Sequence, residues 1–365
     1  MKKQINKFTK INGLSLLIGS LLASPVSMAK EGDSHMPGIG SVGGKHWVRR
    51  LEVSGVMEVE YGSSEDYSGT SSSDVALATV ELAFDAKVAK DVKMHIGLLH
   101  EEDDTPLEVD EGYIDMALGS ANLQVGQMYV PFGSYETNVL SDPLTLEIGE
   151  TRESALMVST AMGNINASLY LFNGSTQEAG ADDGADQMGV SVAYVTEGDG
   201  LSMDIGLDYI SNIADSDTIG GYIEGNTTAG DPVTVKSYVP AQIFHANLNF
   251  GKFHVIAEYL VTDQFDVTEL PFGTKGAEIT ATNLEFGYEM TIAGKAATLG
   301  VALQSTDEAV GLGLPKDKTL LALSVNLQEY TALTFEYATS TDYDLADGGT
   351  GQDATSYTFQ LAVGF

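Results

Sequence analysis

The chain of 365 residues contains no cysteine, only nine prolines, and 18 lysines and arginines against 52 aspartates and glutamates. Without cysteine it cannot form a disulfide framework, a thiol nucleophile or a thiolate metal site. The formal net charge of -34 excludes phosphate-backbone binding through clustered basic residues, so we expect no nucleic-acid partner. What the chain has instead is 40 glycines and 43% hydrophobic residues, a composition typical of many turns and packed strands.

The first 29 residues have the pattern of an export signal. Four lysines precede an apolar run at 14–23, and Ser27 and Ala29 are the small residues of a cleavage site. The apolar run is about half the roughly 20 residues that a membrane-spanning helix requires, so we expect cleavage after Ala29 rather than an anchor. Residues 30–45 would then be a flexible N-terminal segment, and residues 46–365 the folded body.

Apolar and polar residues alternate with a period of two along most of the remaining chain. In 357–365, for example, every odd position is apolar or aromatic. A strand sorts residues in this way and a helix does not. The sixteen segments with this pattern are 46–62, 75–87, 92–100, 107–118, 122–130, 152–162, 164–173, 187–196, 201–211, 238–250, 252–263, 277–291, 296–305, 319–328, 331–341 and 355–365.

Short turns and long polar loops alternate between these segments, which is the asymmetry of an outer-membrane β-barrel. The segments are also about as long as the roughly 9–11 residues with which a tilted strand crosses a bilayer. We therefore predict an all-β fold, a 16-stranded antiparallel transmembrane β-barrel in the outer membrane. A soluble β protein also alternates, but here the apolar face is aliphatic and aromatic in strand after strand.

An even number of strands places both termini on the short-turn side, so residues 30–45 would be periplasmic. The aromatic residues Tyr357, Phe359 and Phe365 at the end of the chain resemble the insertion signal of outer-membrane proteins. The expected partners are thus the barrel-assembly machinery, outer-membrane lipid and lipopolysaccharide. We also expect a homotrimer, since barrels of this size commonly pack side by side.

The polar face of the strands should line a water-filled lumen, because sixteen strands enclose more volume than side chains can fill. A register shifted by one residue would place the carboxylates of this face in lipid, at about 2 kcal/mol each. The predicted pore-lining residues are Arg50, Glu52, Glu58, Glu60, Glu81, Asp85, Lys93, His95, Glu111, Asp115, Asp204, Asp208, Glu258, Glu285, Glu289 and Glu336.

The third long loop, about 131–151, contains apolar residues that an exposed loop would not need, among them Leu140 and Ile148. We predict that it folds into the barrel and narrows the channel, which would set size and charge selectivity. An ordinary ordered surface loop is the alternative. The predicted constriction residues are Glu136, Asp142, Glu147 and Glu150, with Arg152 and Glu153 at the base of the loop.

No grouping of residues points to catalysis or to a resident cofactor. His254 and Glu258 share the lumen side, but a metal site would need a third ligand. We find no Ser-His-Asp or acid-His grouping of the kind a barrel phospholipase would need, so we expect no enzyme activity. A barrel enzyme and a non-transport barrel, adhesive or structural, are the alternatives to a channel.

The run VGQMYVPFG at 125–133, followed by ETN at 136–138, SDPLTLE at 141–147 and GETRE at 149–153, resembles the LbtU-type siderophore porin family. Gly-Gln followed by Pro-Phe-Gly also resembles the phosphate-selective porins over a shorter stretch. The first resemblance implies a 16-stranded outer-membrane porin associated with ferric-siderophore uptake, with the third loop as its selectivity element.

The charge of the predicted lumen points to a different solute. Many ferric siderophores are anionic and would be repelled by an acidic lining, and a phosphate pathway would need rows of lysine and arginine. The residues themselves predict a porin for passive diffusion of small solutes that favours cations.

Overall fold

The computed structural model describes residues 50–102, 105–180, 184–198, 200–228 and 231–365, together with the short strands Ser41–Val42 and Lys45–His46. The predicted export signal, its cleavage after Ala29 and most of the predicted flexible segment 30–45 lie outside the described residues.

Sixteen antiparallel strands close into one barrel, which confirms the predicted fold and strand number. Each strand pairs with its neighbours in sequence, and the last pairs with the first, with Phe359 opposite Tyr61. The strands are β1 Arg50–Glu65, β2 Ser71–Ala89, β3 Val92–Glu101, β4 Glu108–Leu118, β5 Ala121–Tyr129, β6 Arg152–Met162, β7 Ile165–Phe172, β8 Gln187–Gly198, β9 Leu201–Ile210, β10 Ala241–Phe250, β11 Phe253–Thr262, β12 Thr280–Ile292, β13 Lys295–Asp307, β14 Asp317–Gln328, β15 Thr331–Thr341 and β16 Asp353–Gly364.

The apolar side chains of the strands point outward. On β16, Tyr357 and Phe359 are 47% and 45% exposed, whereas Thr358 and Gln360 between them are 4% and 0% exposed. The same alternation recurs around the barrel, with exposed residues such as Leu169, Val192 and Leu321 on the outside. The barrel therefore carries an outer apolar band of the kind that fits hydrocarbon.

The two ends of the barrel differ. At one end, tight turns such as that between Ile292 and Lys295 join the strands. At the other end, the longer connections carry α1 (Leu144–Gly149) between β5 and β6, and α2 (Asp217–Asn226) between β9 and β10. This long-loop end also holds the 3-10 turns Ile213–Asp215, Val310–Leu312 and Leu345–Asp347, and the short strand pairs Gln177–Glu178 with Thr234–Val235 and Pro271–Phe272 with Lys275–Gly276. No helix among the described residues is long and apolar enough to cross a membrane.

An apolar core holds both helices inside the long-loop half of the barrel. Ile148 of α1 and Ile219 of α2 belong to the same buried cluster as Ile243 of β10 and Leu260 of β11, and none of the four is exposed. Burial on this scale is the main source of favourable free energy in folding. The two helices are thus fixed against the wall that runs from β9 to β12.

Shortening one of these core side chains should destabilise the protein. Ile148→Ala removes buried methyl groups and leaves a cavity, so we expect a loss of about 2–5 kcal/mol in the free energy of unfolding. Leu345→Ala, on a loop residue that is 80% exposed, is the control and should change stability by about 0.5 kcal/mol or less. Thermal unfolding followed by circular dichroism in detergent measures both, and equal melting temperatures would contradict this account of the core.

Candidate functional site

The connection between β5 and β6, residues 130–151, is bound to the inner face of the barrel wall; we call it the inner loop. Its first half is anchored through backbone N–H groups. The N–H of Gly133 donates to Asp208 Oδ2 on β9 at 2.8 Å. The N–H groups of Ser134 and Tyr135 both donate to Glu258 Oε1 on β11, at 3.1 and 2.7 Å.

The same pattern continues along the wall toward β15. The N–H of Asn138 donates to Glu285 Oε2 on β12 at 2.5 Å. The N–H groups of Leu140 and Ser141 donate to Glu336 Oε2 on β15, at 2.6 and 3.0 Å. The inner loop therefore follows the wall from β9 to β15 and is hydrogen-bonded to a carboxylate on β9, β11, β12 and β15. We call Asp208, Glu258, Glu285 and Glu336 the anchor carboxylates.

Hydroxyl groups of the inner loop complete the bonding of three anchor carboxylates. Thr137 Oγ1 donates to Glu285 Oε1 at 3.0 Å, and Ser141 Oγ donates to Glu336 Oε1. Thr145 of α1 donates to Glu258 Oε2, so Glu258 binds both halves of the loop. Each of these three carboxyl groups therefore accepts hydrogen bonds from the inner loop on both of its oxygens.

The anchor carboxylates correct part of the predicted pore lining. All four lie on the inner face of the wall, but they are no more than 2% exposed because the inner loop covers them. Glu58 on β1 is likewise fully buried. The prediction that these five residues line open water is therefore wrong: alternation identifies the face of a strand, not what packs on it.

The other predicted lining residues lie at exposed or half-buried positions. His95 Nδ1 is 3.0 Å from Asp85 Oδ1, and its ring stacks on Tyr113 with centroids 4.9 Å apart. Gln360 Nε2 donates to Glu60 Oε1 at 2.9 Å. The full set is Arg50, Glu52, Glu60, Glu81, Asp85, Lys93, His95, Glu111, Asp115, Asp204 and Glu289.

Two wall glycines make room for the middle of the inner loop. Gly287 on β12 and Gly300 on β13 are directly opposite each other. A Cβ at Gly287 would come within 2.3 Å of Asn138 Oδ1, and one at Gly300 within 2.1 Å of the Asn138 carbonyl oxygen. Glycine is required where two backbones approach this closely.

A cavity of about 150 Å³ separates the inner loop from the opposite wall. On one side are Leu146 of α1 and Thr218 of α2, and on the other Leu99 of β3 and Tyr129 of β5. Seven carboxylates line it: Glu101, Glu108, Asp110, Asp142, Glu147, Glu150 and Asp217. We call it the acidic cavity.

Arg152 is the single basic residue in the lining of the acidic cavity. Its Nη1 is 2.9 Å from Glu108 Oε1 and 2.6 Å from Asp110 Oδ1. The hydroxyl of Tyr129 also donates to Asp110, at 3.0 Å. The positive charge of Arg152 is therefore directed at β4, on the far side of the cavity from α1.

The structure brings four of the six predicted constriction residues together, since Asp142, Glu147, Glu150 and Arg152 all line the acidic cavity. Glu136 and Glu153 are half-buried elsewhere. Burial, with Asp204 and Glu258 nearby, raises the pKa of the Glu136 carboxyl.

Sequence reasoning missed five of the residues in this region, among them Glu101 and Glu108 of the acidic cavity. Asp110 was missed because a bulge between the pairs Ile96–Gly112 and Leu98–Val109 changes the alternation of β4. Asp217 lies in a distant loop, and nothing in the local pattern signals its place in the cavity. His245, 3.4 Å from both Asp204 Oδ1 and Asp208 Oδ2, falls on the polar face of β10 and could have been found.

The carboxyl groups of Glu150 and Asp217 retain protons more strongly than usual. Burial, reinforced by Asp217 and Asp110, raises the pKa of Glu150 to about 8. Burial raises the pKa of Asp217 to about 6, although Arg152 opposes the shift. No group of three or more side chains within the described residues could hold a metal ion.

The chain has relatives among curated proteins. It is 31% identical over 236 residues to a UPF0422 protein of Coxiella burnetii, covering 63% of this chain and 50% of that protein. It is 24% identical over 335 residues to a UPF0422 protein of Legionella pneumophila (strain Paris), covering 80% of this chain and 62% of that protein. The chain thus spans less than two thirds of the length of these relatives. No protein-family model matches it.

Solved structures of outer-membrane proteins share the fold. An anion-selective porin from Comamonas acidovorans matches with a TM-score of 0.60 at 16% identity, covering 87% of this chain and 99% of that one. The outer-membrane channel DcaP of Acinetobacter baumannii matches with a TM-score of 0.60 at 13% identity, covering 86% and 97%. The trimer form of OmpT of Vibrio cholerae matches with a TM-score of 0.51 at 13% identity, covering 87% and 99%. The barrel is therefore porin-like in fold.

A side chain at Gly287 or Gly300, the two wall glycines that contact Asn138, should displace the inner loop. We expect Gly300→Ala to destabilise the protein by about 1–3 kcal/mol, because the added methyl group meets the Asn138 carbonyl. The control is Gly221→Ala, at an exposed position of α2 where a Cβ meets nothing within 4 Å. That substitution should be neutral or stabilising by up to about 1 kcal/mol. Urea unfolding in lipid vesicles measures the stability of both variants. A Gly300→Ala variant as stable as the wild type would show that the inner loop does not need a glycine at this position.

Proposed function

We propose that this protein is a porin of the bacterial outer membrane, forming a water-filled channel for passive diffusion of small solutes with a preference for cations. The closed 16-stranded barrel with its apolar outer band supports the membrane location. A barrel of this strand number is too wide for wall side chains to fill, which supports a channel.

One observation carries the cation preference: the acidic cavity has seven carboxylates and a single arginine between the inner loop and the wall. A row of basic side chains opposite the carboxylates would attract anions. Here the one arginine in the lining, Arg152, is already paired with Glu108 and Asp110. A narrow passage lined by one sign of charge concentrates the opposite ion. The lining of the acidic cavity therefore supports a preference for cations over anions of the same size.

A second candidate function, ferric-siderophore uptake, is supported by the resemblance of residues 125–153 to the LbtU-type siderophore porins. That stretch includes the inner loop and six of the residues that line the acidic cavity. In this chain the charge of the cavity favours a neutral or cationic iron complex over an anionic one. Loss of growth on such a complex in an iron-limited deletion strain, restored by the intact gene, would support this role.

We also infer that the protein assembles as a homotrimer, which the trimer form of the similarly folded OmpT supports. Insertion would depend on the barrel-assembly machinery, with the aromatic end of β16 as the recognised segment. Phe365, directly after β16, is 69% exposed and accessible to such a partner.

The reversal potential in planar bilayers under a tenfold salt gradient tests the cation preference. One unit charge about 4 Å from an ion is worth about 1 kcal/mol in water, which changes a permeability ratio about fivefold. We therefore expect potassium to be at least about fivefold more permeant than chloride. Anion preference would overturn the proposed selectivity, and an absence of channels would overturn the porin function itself.

Replacing the arginine of the acidic cavity should strengthen the selectivity. Arg152→Gln removes one positive charge and leaves Glu108 and Asp110 without their cationic partner, so we expect the permeability ratio to rise about fivefold. Lys275→Gln is the control because it changes the net charge equally on an exposed loop, where Lys275 Nζ pairs with Glu308 at 2.6 Å. Equal effects of the two substitutions would show that the cavity does not set selectivity.

A further inference from the structure

Two carboxyl groups of the acidic cavity come from residues that join the two helices. Glu150 directly follows α1, and Asp217 is the first residue of α2. The N–H of Asp217 donates to the Glu150 carbonyl oxygen at 3.0 Å. Because this joint is made by backbone atoms, it keeps the two side chains together whatever their state of protonation.

The groups around this pair are nearly all acidic. The inner loop contributes Asp142 and Glu147, and the wall contributes Glu101 from β3 and Glu108 and Asp110 from β4. Further titratable or charged groups near the pair are the phenols of Tyr129 on β5 and Tyr135 of the inner loop, and Arg152 and Glu153 on β6. Repulsion by Asp217, Asp110, Glu147 and Glu101 adds to burial in opposing the ionisation of Glu150.

Glu150 and Asp217 differ from the other acids of the cavity in their neighbours. Arg152 pairs directly with Glu108 and Asp110, at 2.9 and 2.6 Å. Glu150 and Asp217 lie at the helix joint instead, and the pKa values of their carboxyls are raised to about 8 and about 6. As the pH rises, Asp217 therefore ionises first and Glu150 second.

We propose that Glu150 and Asp217 form a pH-controlled selectivity filter, in which protonation weakens the cation preference of the channel and deprotonation strengthens it. This inference rests on the proposed porin function and assigns its regulation to two named residues. The direction follows from charge alone, since each lost proton adds one negative charge to the same cavity of about 150 Å³.

Deprotonation of Glu150 and Asp217 lowers the stability of the folded protein, although it strengthens the proposed cation preference. A carboxyl whose pKa is higher in the folded protein than in the unfolded chain, here about 8 and about 6, binds its proton more tightly when folded. The folded state therefore loses stability as the pH rises above the unfolded value of about 4 and through these folded values. The filter gains selectivity over the same range in which it costs stability.

The test is the reversal potential of the full protein in planar bilayers from about pH 5 to pH 9, a range that spans both titrations. We expect the cation-to-anion permeability ratio to rise in two steps, with midpoints near pH 6 and pH 8 and up to about fivefold per step. The double variant Glu150→Gln, Asp217→Asn should keep the low-pH ratio throughout. Glu224→Gln, at an exposed position of α2, is the control and should titrate like the wild type.

Each outcome has a separate meaning. A wild-type ratio that is flat with pH, or that changes only near pH 4 as an ordinary carboxyl would, overturns the filter. Retention of both steps in the double variant also overturns it. If the double variant does not fold, as judged by its mobility on gels before and after heating, the two midpoints of the wild type decide the question. An absence of channels or a preference for anions at every pH would instead overturn the proposed porin function.

Discussion

The inner loop depends on hydrogen bonds between its own backbone N–H groups and the four anchor carboxylates. Each partner would be costly alone: a buried carboxylate needs donors, and a buried loop without regular structure leaves its N–H groups unpaired. Pairing the two satisfies both requirements, six N–H groups being bound by Asp208, Glu258, Glu285 and Glu336. The position of α1, and with it the acidic cavity, follows from this arrangement.

Two groups of acidic side chains inside the barrel therefore have different surroundings. The anchor carboxylates are buried and hydrogen-bonded to the inner loop, so they hold the loop in place and do not face the solvent. The carboxylates of the acidic cavity instead line the gap between the loop and the opposite wall, although Asp142 and Asp110 among them are also buried. The net charge of -34 thus overstates the charge that a solute would meet.

Much of the fold could be predicted from the sequence, because strand alternation is a local signal repeated sixteen times. The apolar residues of segment 131–151 also indicated a loop that packs, and Asp142, Glu147, Glu150 and Arg152 do line one cavity. Alternation could not show that Glu258 would be covered, since burial depends on a loop more than a hundred positions away. Asp110 was missed because a bulge shifts the alternation of β4. Asp217 was missed because its place in the cavity depends on a long-range contact between the two helices, which local alternation does not reveal.

Hydrogen exchange of individual backbone amides in the folded protein tests the central claim most directly. If the anchor carboxylates hold the inner loop, the amides of Gly133, Tyr135, Asn138, Leu140 and Ser141 should be strongly protected although they lie in no helix or strand. Exchange at these five positions as fast as at the exposed turn residues Gly273 and Thr274 would contradict the account.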